Sequence, residues 1–591
     1  MQKAEVVLSV LRERGRNGLP CAQLYRQMYN EDLYLLAYGN IYSNQGAMTP
    51  GGSRETADGM SEKKIKHITG LMRQERYRFS PARRVYIPKK NGKLRPLGLP
   101  SWSDKLVGEV VRLMLEAYYE PGFSDLSHGF RKNRGCHSAL RKIRDTWTGI
   151  TWFIEGDISD CFGSLDHEIL LGILAEKIHD QRFLRLIRNM LRAGYLEDWE
   201  YRKTLSGAPQ GGVVSPVLSN IYLHKLDEFV EQELIPQYTR GAKREPDPEY
   251  RRIANRLKQA ETLRSPAMTR TLKKDLRRFP AGDPMDPGYR RLRYLRYADD
   301  HMLGFAGPKA EAEKIKDRLA EFLRETLRLE LSQEKTLITH ARTQRARFLG
   351  YHIRVQHDNA KLTRGRRSAN GVIALRVPPD VIKAQCSRYR KHGKPWHRPE
   401  LQNLDDYNIV RIYGTGYAGV VSYYLLAQDV SRLATLRWNA ETSMLRTLAA
   451  KHHSTTTKMA ARHKAKIETS DGLRTCFEAR RHREGKKDLV ARFGGIPLRQ
   501  NRKAVIQDPT PASAPYPKKE LIKRLRNREC ELCGTGTMVT VHQIASLKTL
   551  GEPGPGQPAW VNLMARKRRK TLIVCTPCHE WIHATPVMHA A

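Results

Sequence analysis

Residues 291–305 read RLRYLRYADDHMLGF. Apolar Leu292 and Tyr294 precede a pair of acids, Asp299 and Asp300, and Leu303 and Phe305 follow it. That pattern predicts two short strands meeting at the acids. Adjacent carboxylates at a tight turn repel each other and cost stability. They make chemical sense when a divalent cation sits between them and a further acid. Such an acid stands upstream in WFIEGDISDCF, residues 152–162, where the apolar run Trp152–Ile154 leads to Asp157 at the end of an expected strand. Carboxylates on neighbouring strands can hold two Mg2+ ions about 4 Å apart, one lowering the pKa of an attacking hydroxyl and the other stabilising a departing pyrophosphate.

The rest of the chain points to a polyanionic partner. Its 591 residues carry 104 Lys and Arg against 62 Asp and Glu, a net charge of +42. Such an excess is self-repelling unless nucleic acid or an anionic membrane offsets it. No stretch approaches the roughly 20 apolar residues of a membrane helix, and Glu5 and Glu13 weigh against a transit peptide. A cytosolic nucleic-acid-binding protein is expected. The length implies several domains, and 40% hydrophobic residues can fill several cores. Of nine cysteines, Cys21, Cys136, Cys161, Cys386 and Cys476 are scattered, while Cys530, Cys533, Cys575 and Cys578 form two close pairs. That is the pattern of buried thiols plus one metal site, not of a disulfide framework.

In chain order the acids are accompanied by RRVYIPKKNGKLRPLGLP (83–100), SHGFRKNRGCHSAL (127–140), SGAPQGGVVSPVLSNIYL (206–223), LSQEKT (331–336) and FLGY (348–351). Block for block, this series resembles the fingers and palm of group II intron reverse transcriptases, and the resemblance extends from about residue 40 to residue 470. It implies an RNA-directed DNA polymerase in which Asp157, Asp299 and Asp300 are the catalytic, Mg2+-binding acids. Lys89 and Arg95 match the pair that contacts the triphosphate of an incoming deoxynucleoside triphosphate, a task suited to a point charge and a bidentate guanidinium. Gln210 matches a residue beside the nucleotide, with Gly211 and Gly212 permitting close backbone approach. Phe162 matches the aromatic that excludes a ribose 2′-hydroxyl; an ordinary core aromatic is the lesser alternative, since aromatics commonly fill cores. Lys335 matches a basic residue near the active site, and Phe348–Gly350 a primer-gripping hairpin.

Downstream, RIYGTGYAGVVSYYLLAQDV (411–430) and the basic helical pattern after it resemble the family's thumb, or maturase domain. The resemblance implies intron RNA as a partner, bound by helices with one apolar and one basic face. The tail carries CELCG (530–534) and CTPCHEWIH (575–583). Two CxxC pairs some forty residues apart indicate structural tetrahedral Zn2+ on Cys530, Cys533, Cys575 and Cys578. His579 and His583 share one helical face, and His542 could complete a site for a further divalent ion. Together these features, with the basic run Arg566–Lys570, resemble the HNH-type DNA endonuclease that ends many such proteins. Two departures stand out. Gln543 occupies the position of the family's general-base histidine, and no Asn stands shortly before Cys575, Asn562 being thirteen residues upstream.

The expected architecture is multidomain α+β, with a right-hand polymerase at its centre. Residues 1–80 form an N-terminal extension and the start of the fingers. Fingers and palm follow over 81–365, with a basic insertion near 236–290. A helical thumb or maturase domain (366–470) leads to a basic DNA-binding segment and linker (471–525). A small zinc-bearing HNH domain of ββα-metal form (526–591) closes the chain. The function implied is splicing assistance to an intron RNA and copying of that intron into target DNA, within a ribonucleoprotein in the bacterial cytoplasm, nucleoid-associated when on DNA. The alternatives are a splicing-only maturase and a free-standing reverse transcriptase.

Overall fold

Four strands, Arg291–Tyr297, Asp300–Ala306, Trp152–Gly156 and Ile338–His340, lie in that spatial order and pair antiparallel throughout. The computed structural model describes every residue except 1, 45, 89–91, 93, 198–199, 203–206, 208–211, 333, 365, 470, 484–485, 507–518, 537, 551–553 and 586–591. Tyr297 pairs with Asp300 across the expected turn, and Gly156 stands opposite His301. Asp157 therefore emerges at the same end of the sheet as the two adjacent acids. Side chains alternate between faces. Ile154, Leu292, Tyr294, Leu303 and Phe305 enter one core, while Phe153, Leu295 and Met302 enter a second. A sheet covered on both faces explains the unbroken apolar stretch Met302–Ala306 within the second strand.

The first core lies under the helices Trp102–Tyr119, Ser215–Phe229 and Lys309–Leu327, and extends to the N-terminal helices Ala4–Arg16 and Glu31–Ile41. The second joins the sheet to the helices Asp406–Tyr424 and Ala434–Lys451. Side-chain oxygens fix where two of these helices begin: Ser101 accepts from the amide of Asp104, and Asp405 from that of Asn408. A second four-stranded sheet is built on the antiparallel pair Ala82–Pro88 and Leu94–Leu99, which precede the acids in the chain, and is completed by Tyr195–Glu197 and Glu200–Arg202, which follow Asp157.

The basic insertion near 236–290 contains a helical hairpin, Pro248–Thr262 and Pro266–Leu276, around a small core of Ile253, Ala260 and Leu272. Its base is closed by the bridge between Arg240 and Arg290. The boundary expected at residue 470 separates two strands that pair with each other. Strands Lys464–Thr469, Gly472–Arg483 and Lys486–Gly494 form an antiparallel sheet whose Phe477, Ala479, Ala491 and Phe493 share the second core. Its contact with the helix Asp406–Tyr424 is close, because a Cβ at Gly414 would lie 2.1 Å from the carbonyl oxygen of Arg492.

In the tail, Val539–Gln543 pairs antiparallel with Thr571–Cys575, flanked by the helices Ala559–Lys567 and Thr576–Ala584. One face of this pair builds a local core with Trp560, Val561 and Met564. The other face, Val539, Val541 and Ile573, enters the first core together with Leu521 and Leu525. The tail is thus docked onto the N-terminal region. Among the described residues, no helix is long and apolar enough to cross a membrane.

Candidate active site and metal centres

The sheet delivers Asp157, Asp299 and Asp300 to one point. Burial first, then the charges of Asp299 and Asp157, pushes the Asp300 carboxyl up to about 7. Burial and Asp157 also raise Asp299, with Arg95 and Lys335 opposing. Lys335 donates to Asp157 Oδ2 at 2.6 Å, and this bond holds its ammonium pKa above the ordinary lysine value. The segment bearing Lys335 is tied to the acid's backbone, since the amide of Ser332 donates to the carbonyl of Asp157 at 2.8 Å. Crowded carboxylates, two of which resist ionisation while the third draws in a lysine, have the chemistry of a cation site.

A buried arginine holds the turn in shape, and sequence reading did not find it. Arg296 and Asp227 form a fully buried ion pair, Nη2 to Oδ2 at 2.6 Å. Arg296 also donates to Asn220 Oδ1, to Ser127 Oγ and, at 2.9 Å, to the carbonyl of Ala298, immediately before the acids. Tyr294 donates to Asp227 at 2.9 Å. Burial would raise the Asp227 carboxyl, but Arg296 outweighs it and holds it at about 2. Ala298 has φ 56°, a left-handed conformation that a non-glycine residue adopts at a cost. The arginine bond to its carbonyl helps hold it there. Space is tight around the acids: a Cβ on Gly129 would lie 2.3 Å from the Ala298 amide nitrogen, and one on Gly156 2.0 Å from His301 Nε2.

Arg95 is exposed on the strand Leu94–Leu99. Lys89 and Gln210 lie outside the described residues. Phe162, on the turn Cys161–Ser164, is half-buried with its ring edge-on to Phe130 at 6.2 Å. Gly207, from the same block as Gln210, backs it so closely that a Cβ would meet the Phe162 carbonyl oxygen at 2.7 Å. The turn Leu349–Gly350, between strands Ala346–Phe348 and Tyr351–Val355, is held by Tyr423 and Tyr424, whose hydroxyls donate to its two carbonyls at 2.8 and 2.9 Å.

Two metal-competent clusters occupy the tail. The sulfurs of Cys530, Cys533, Cys575 and Cys578 lie within 4.8 Å of one another, and those of Cys533 and Cys575 are 3.7 Å apart. Four thiolates around a tetrahedral zinc would stand about 3.8 Å apart. Without a cation such thiols cannot all ionise: hydrogen bonds with Thr535 draw Cys533 down to about 6, while burial pushes Cys575 and Cys578 up. The set therefore fits zinc.

The second cluster gathers His542, His579 and His583, as the sequence suggested, and adds Asp58, which it did not. Burial would raise the Asp58 carboxyl, but the imidazoles of His542 and His579 and the amide of Gln543 hold it far below the ordinary carboxylate range. Gln543 turns away from the cluster and donates through Nε2 to the carbonyl of Tyr42 at 2.7 Å. Asn562 braces a turn, with its side chain bonded to both the amide and the carbonyl of Gly554.

The comparisons with known proteins follow this arrangement along the chain. Residues 87–353 match the family model for reverse transcriptase (RNA-dependent DNA polymerase), 381–494 that for type II intron maturase, and 530–579 that for AI2M/AI1M-like HNH endonuclease. The chain is 39% identical to group II intron-encoded protein LtrA of Lactococcus lactis subsp. cremoris over 583 residues, 95% of each protein. It is 33% identical to an uncharacterized 91 kDa protein in a cob intron of Schizosaccharomyces pombe, over 98% of this chain and 72% of that protein. Protein YkfC of Escherichia coli is 34% identical over half of this chain and 74% of its own length. An RNA-directed DNA polymerase followed by a maturase domain and an HNH domain, the chain belongs to the group II intron-encoded proteins.

Proposed function

We propose that this protein binds its intron RNA, assists its splicing, and copies it into target DNA at the site built by Asp157, Asp299 and Asp300. The convergence of these acids at one end of a single sheet carries the reading. Two Mg2+ ions bound there supply activation of the primer 3′-hydroxyl and stabilisation of the leaving pyrophosphate. Before a cation arrives, Lys335 neutralises Asp157 and Asp300 holds a proton. Arg95, with Lys89, takes the triphosphate of the incoming deoxynucleotide, with Gln210 beside it. Phe162, braced by Phe130, closes the space a ribose 2′-hydroxyl would need.

In this reading the central sheet is the palm of a right hand, the sheet with Ala82–Pro88 its fingers, and the helices after residue 378 its thumb. The tyrosine-held turn at Leu349–Gly350 supports the primer. Basic helices and strands of the thumb and the hairpin near 236–290 track RNA phosphates, and the excess of 42 positive charges supports such a ribonucleoprotein. The four cysteines hold structural zinc. The histidine cluster is the metal centre of a DNA endonuclease of ββα-metal form, which cuts the second strand slowly because Gln543 cannot serve as a base. The protein works in the cytoplasm of a bacterium and on the nucleoid when bound to DNA.

Asp299→Ala separates copying from RNA binding. It abolishes cDNA synthesis in primer extension, because a metal ligand is gone, while intron RNA binding persists on distributed basic contacts. Extension at the wild-type rate would refute the assignment.

A further inference from the structure

Asp58 belongs to the N-terminal region, yet its carboxylate sits inside the histidine cluster of the tail. Its Oδ2 lies 2.8 Å from His583 Nε2 and 3.3 Å from His579 Nε2, and its Oδ1 lies 3.3 Å from His542 Nδ1. The amide of Gln543 donates to Oδ1 at 2.7 Å. The placement is built on both sides of the acid. The amide of Gly59 donates to the carbonyl of Val541 at 2.9 Å, and that of Val541 to the carbonyl of Met60 at 2.8 Å, a short antiparallel bridge between the two regions. Gln543 fastens the strand end to Tyr42. His542 is only 4% exposed, and its Nε2 has no hydrogen-bond partner among the described residues. Its Nδ1, which faces Asp58, likewise has none, so the buried ring has both nitrogens free to take a ligand role.

Three imidazoles and one carboxylate, with ligand atoms within 4.8 Å of one another, form a set for a borderline divalent ion. Ligand number then decides what such a centre can do. A catalytic centre keeps three protein ligands and one open position, whereas a centre with four protein ligands is closed. As a fourth ligand, Asp58 would fill the open position. As an anion in that position it would oppose a DNA phosphate oxygen by charge as well as by space.

We infer that Asp58 is a fourth, removable ligand of the tail's metal centre, supplied by the N-terminal region, and that it latches the endonuclease shut until the segment bearing it withdraws. The latch rests on the nuclease reading given above; the ligand assignment does not. While Asp58 is in place the ion staples the tail to the N-terminal region, and entry of the DNA backbone requires that staple to open.

The test uses full-length protein whose four cysteines are already filled with zinc, titrated with Co2+ and compared with Asp58→Asn, a substitution of equal size that keeps an acceptor for the Gln543 amide. Four-coordinate Co2+ absorbs visible light much more strongly than the six-coordinate ion expected at the polymerase carboxylates. The wild type is expected to show the four-coordinate band, and Asp58→Asn to lose it and bind Co2+ about tenfold or more weakly, given that loss of even an outer-shell partner typically costs that much. With Co2+ saturating the tail centre, Asp58→Asn should nick target duplex about tenfold faster than wild type, with cDNA synthesis in Mg2+ unchanged. Unaltered Co2+ affinity and spectrum would overturn the ligand assignment and the latch with it. Weakened binding with equal, measurable nicking by both proteins would overturn the latch and leave the nuclease reading standing. Weakened binding with no nicking by either would overturn the latch by removing the nuclease itself.

Discussion

Asp300 keeps its proton to about pH 7, because burial, then Asp299 and Asp157, oppose its charge. A metal ligand must be ionised, so cation binding competes with that proton. The proton is bound below about pH 7 and lost above it, and metal affinity therefore rises with pH through that window. Mn2+ affinity of the polymerase site, taken as the difference from the Asp299→Ala protein, is expected to be about tenfold weaker at pH 6 than at pH 8. A flat profile would mean that Asp300 is already ionised. In the metal-free protein the same shift lowers stability as pH climbs from the ordinary carboxylate range to about 7, because the folded state holds a proton the unfolded chain has lost. Phe162 is the other residue to test singly. It is half-buried, and if its ring guards the sugar Phe162→Ala should admit ribonucleotides more readily at little cost in deoxynucleotide use. Competition between ribo- and deoxynucleotides in primer extension measures this; unchanged discrimination would return Phe162 to a packing role.

The hairpin 291–306 was legible as an element because period-two spacing and the acid pair both survive in the sequence. Its support was not. Arg296 reads as one more cation in a basic chain, and its partner Asp227 lies 69 residues away. Removing one member of a buried pair leaves the other uncompensated, at about 3–5 kcal/mol. Arg296→Met should therefore loosen the hairpin that carries Asp299, seen as faster hydrogen exchange across 291–306 and lost cDNA synthesis. Arg296→Met combined with Asp227→Asn should recover part of the protection. Wild-type exchange in the single variant would show that the pair does not hold the turn. The strands of 464–494 were hidden for another reason: basic residues at their exposed positions mask the alternation, although Asp471–Gly472 carries a hairpin turn signal. Lys89 and Gln210, legible by motif, lie outside the described residues.

Across the whole molecule, the four cysteines and three histidines were visible because metal chemistry dictates residue type and spacing. Asp58 was not, since 485 residues separate it from Gln543 and 525 from His583. Cys530→Ser should unfold the tail, because small domains draw much of their stability from bound metal. Limited proteolysis would then cut within 526–591 while extension of a simple primed template continues. A tail that stays protease-resistant, with no zinc in the native protein, would overturn this. The docking of that tail also bears on anyone shortening the protein to a bare polymerase. Ending the chain before Lys519 takes away Leu521, Leu525, Val539, Val541 and Ile573, which complete the first core. It also strips Met60 of its strand partner and Glu62 of Arg528. The remnant would present a greasy scar beside an open backbone edge, a combination that invites self-association. A soluble truncate therefore needs polar replacements along that scar as well as a new C-terminus.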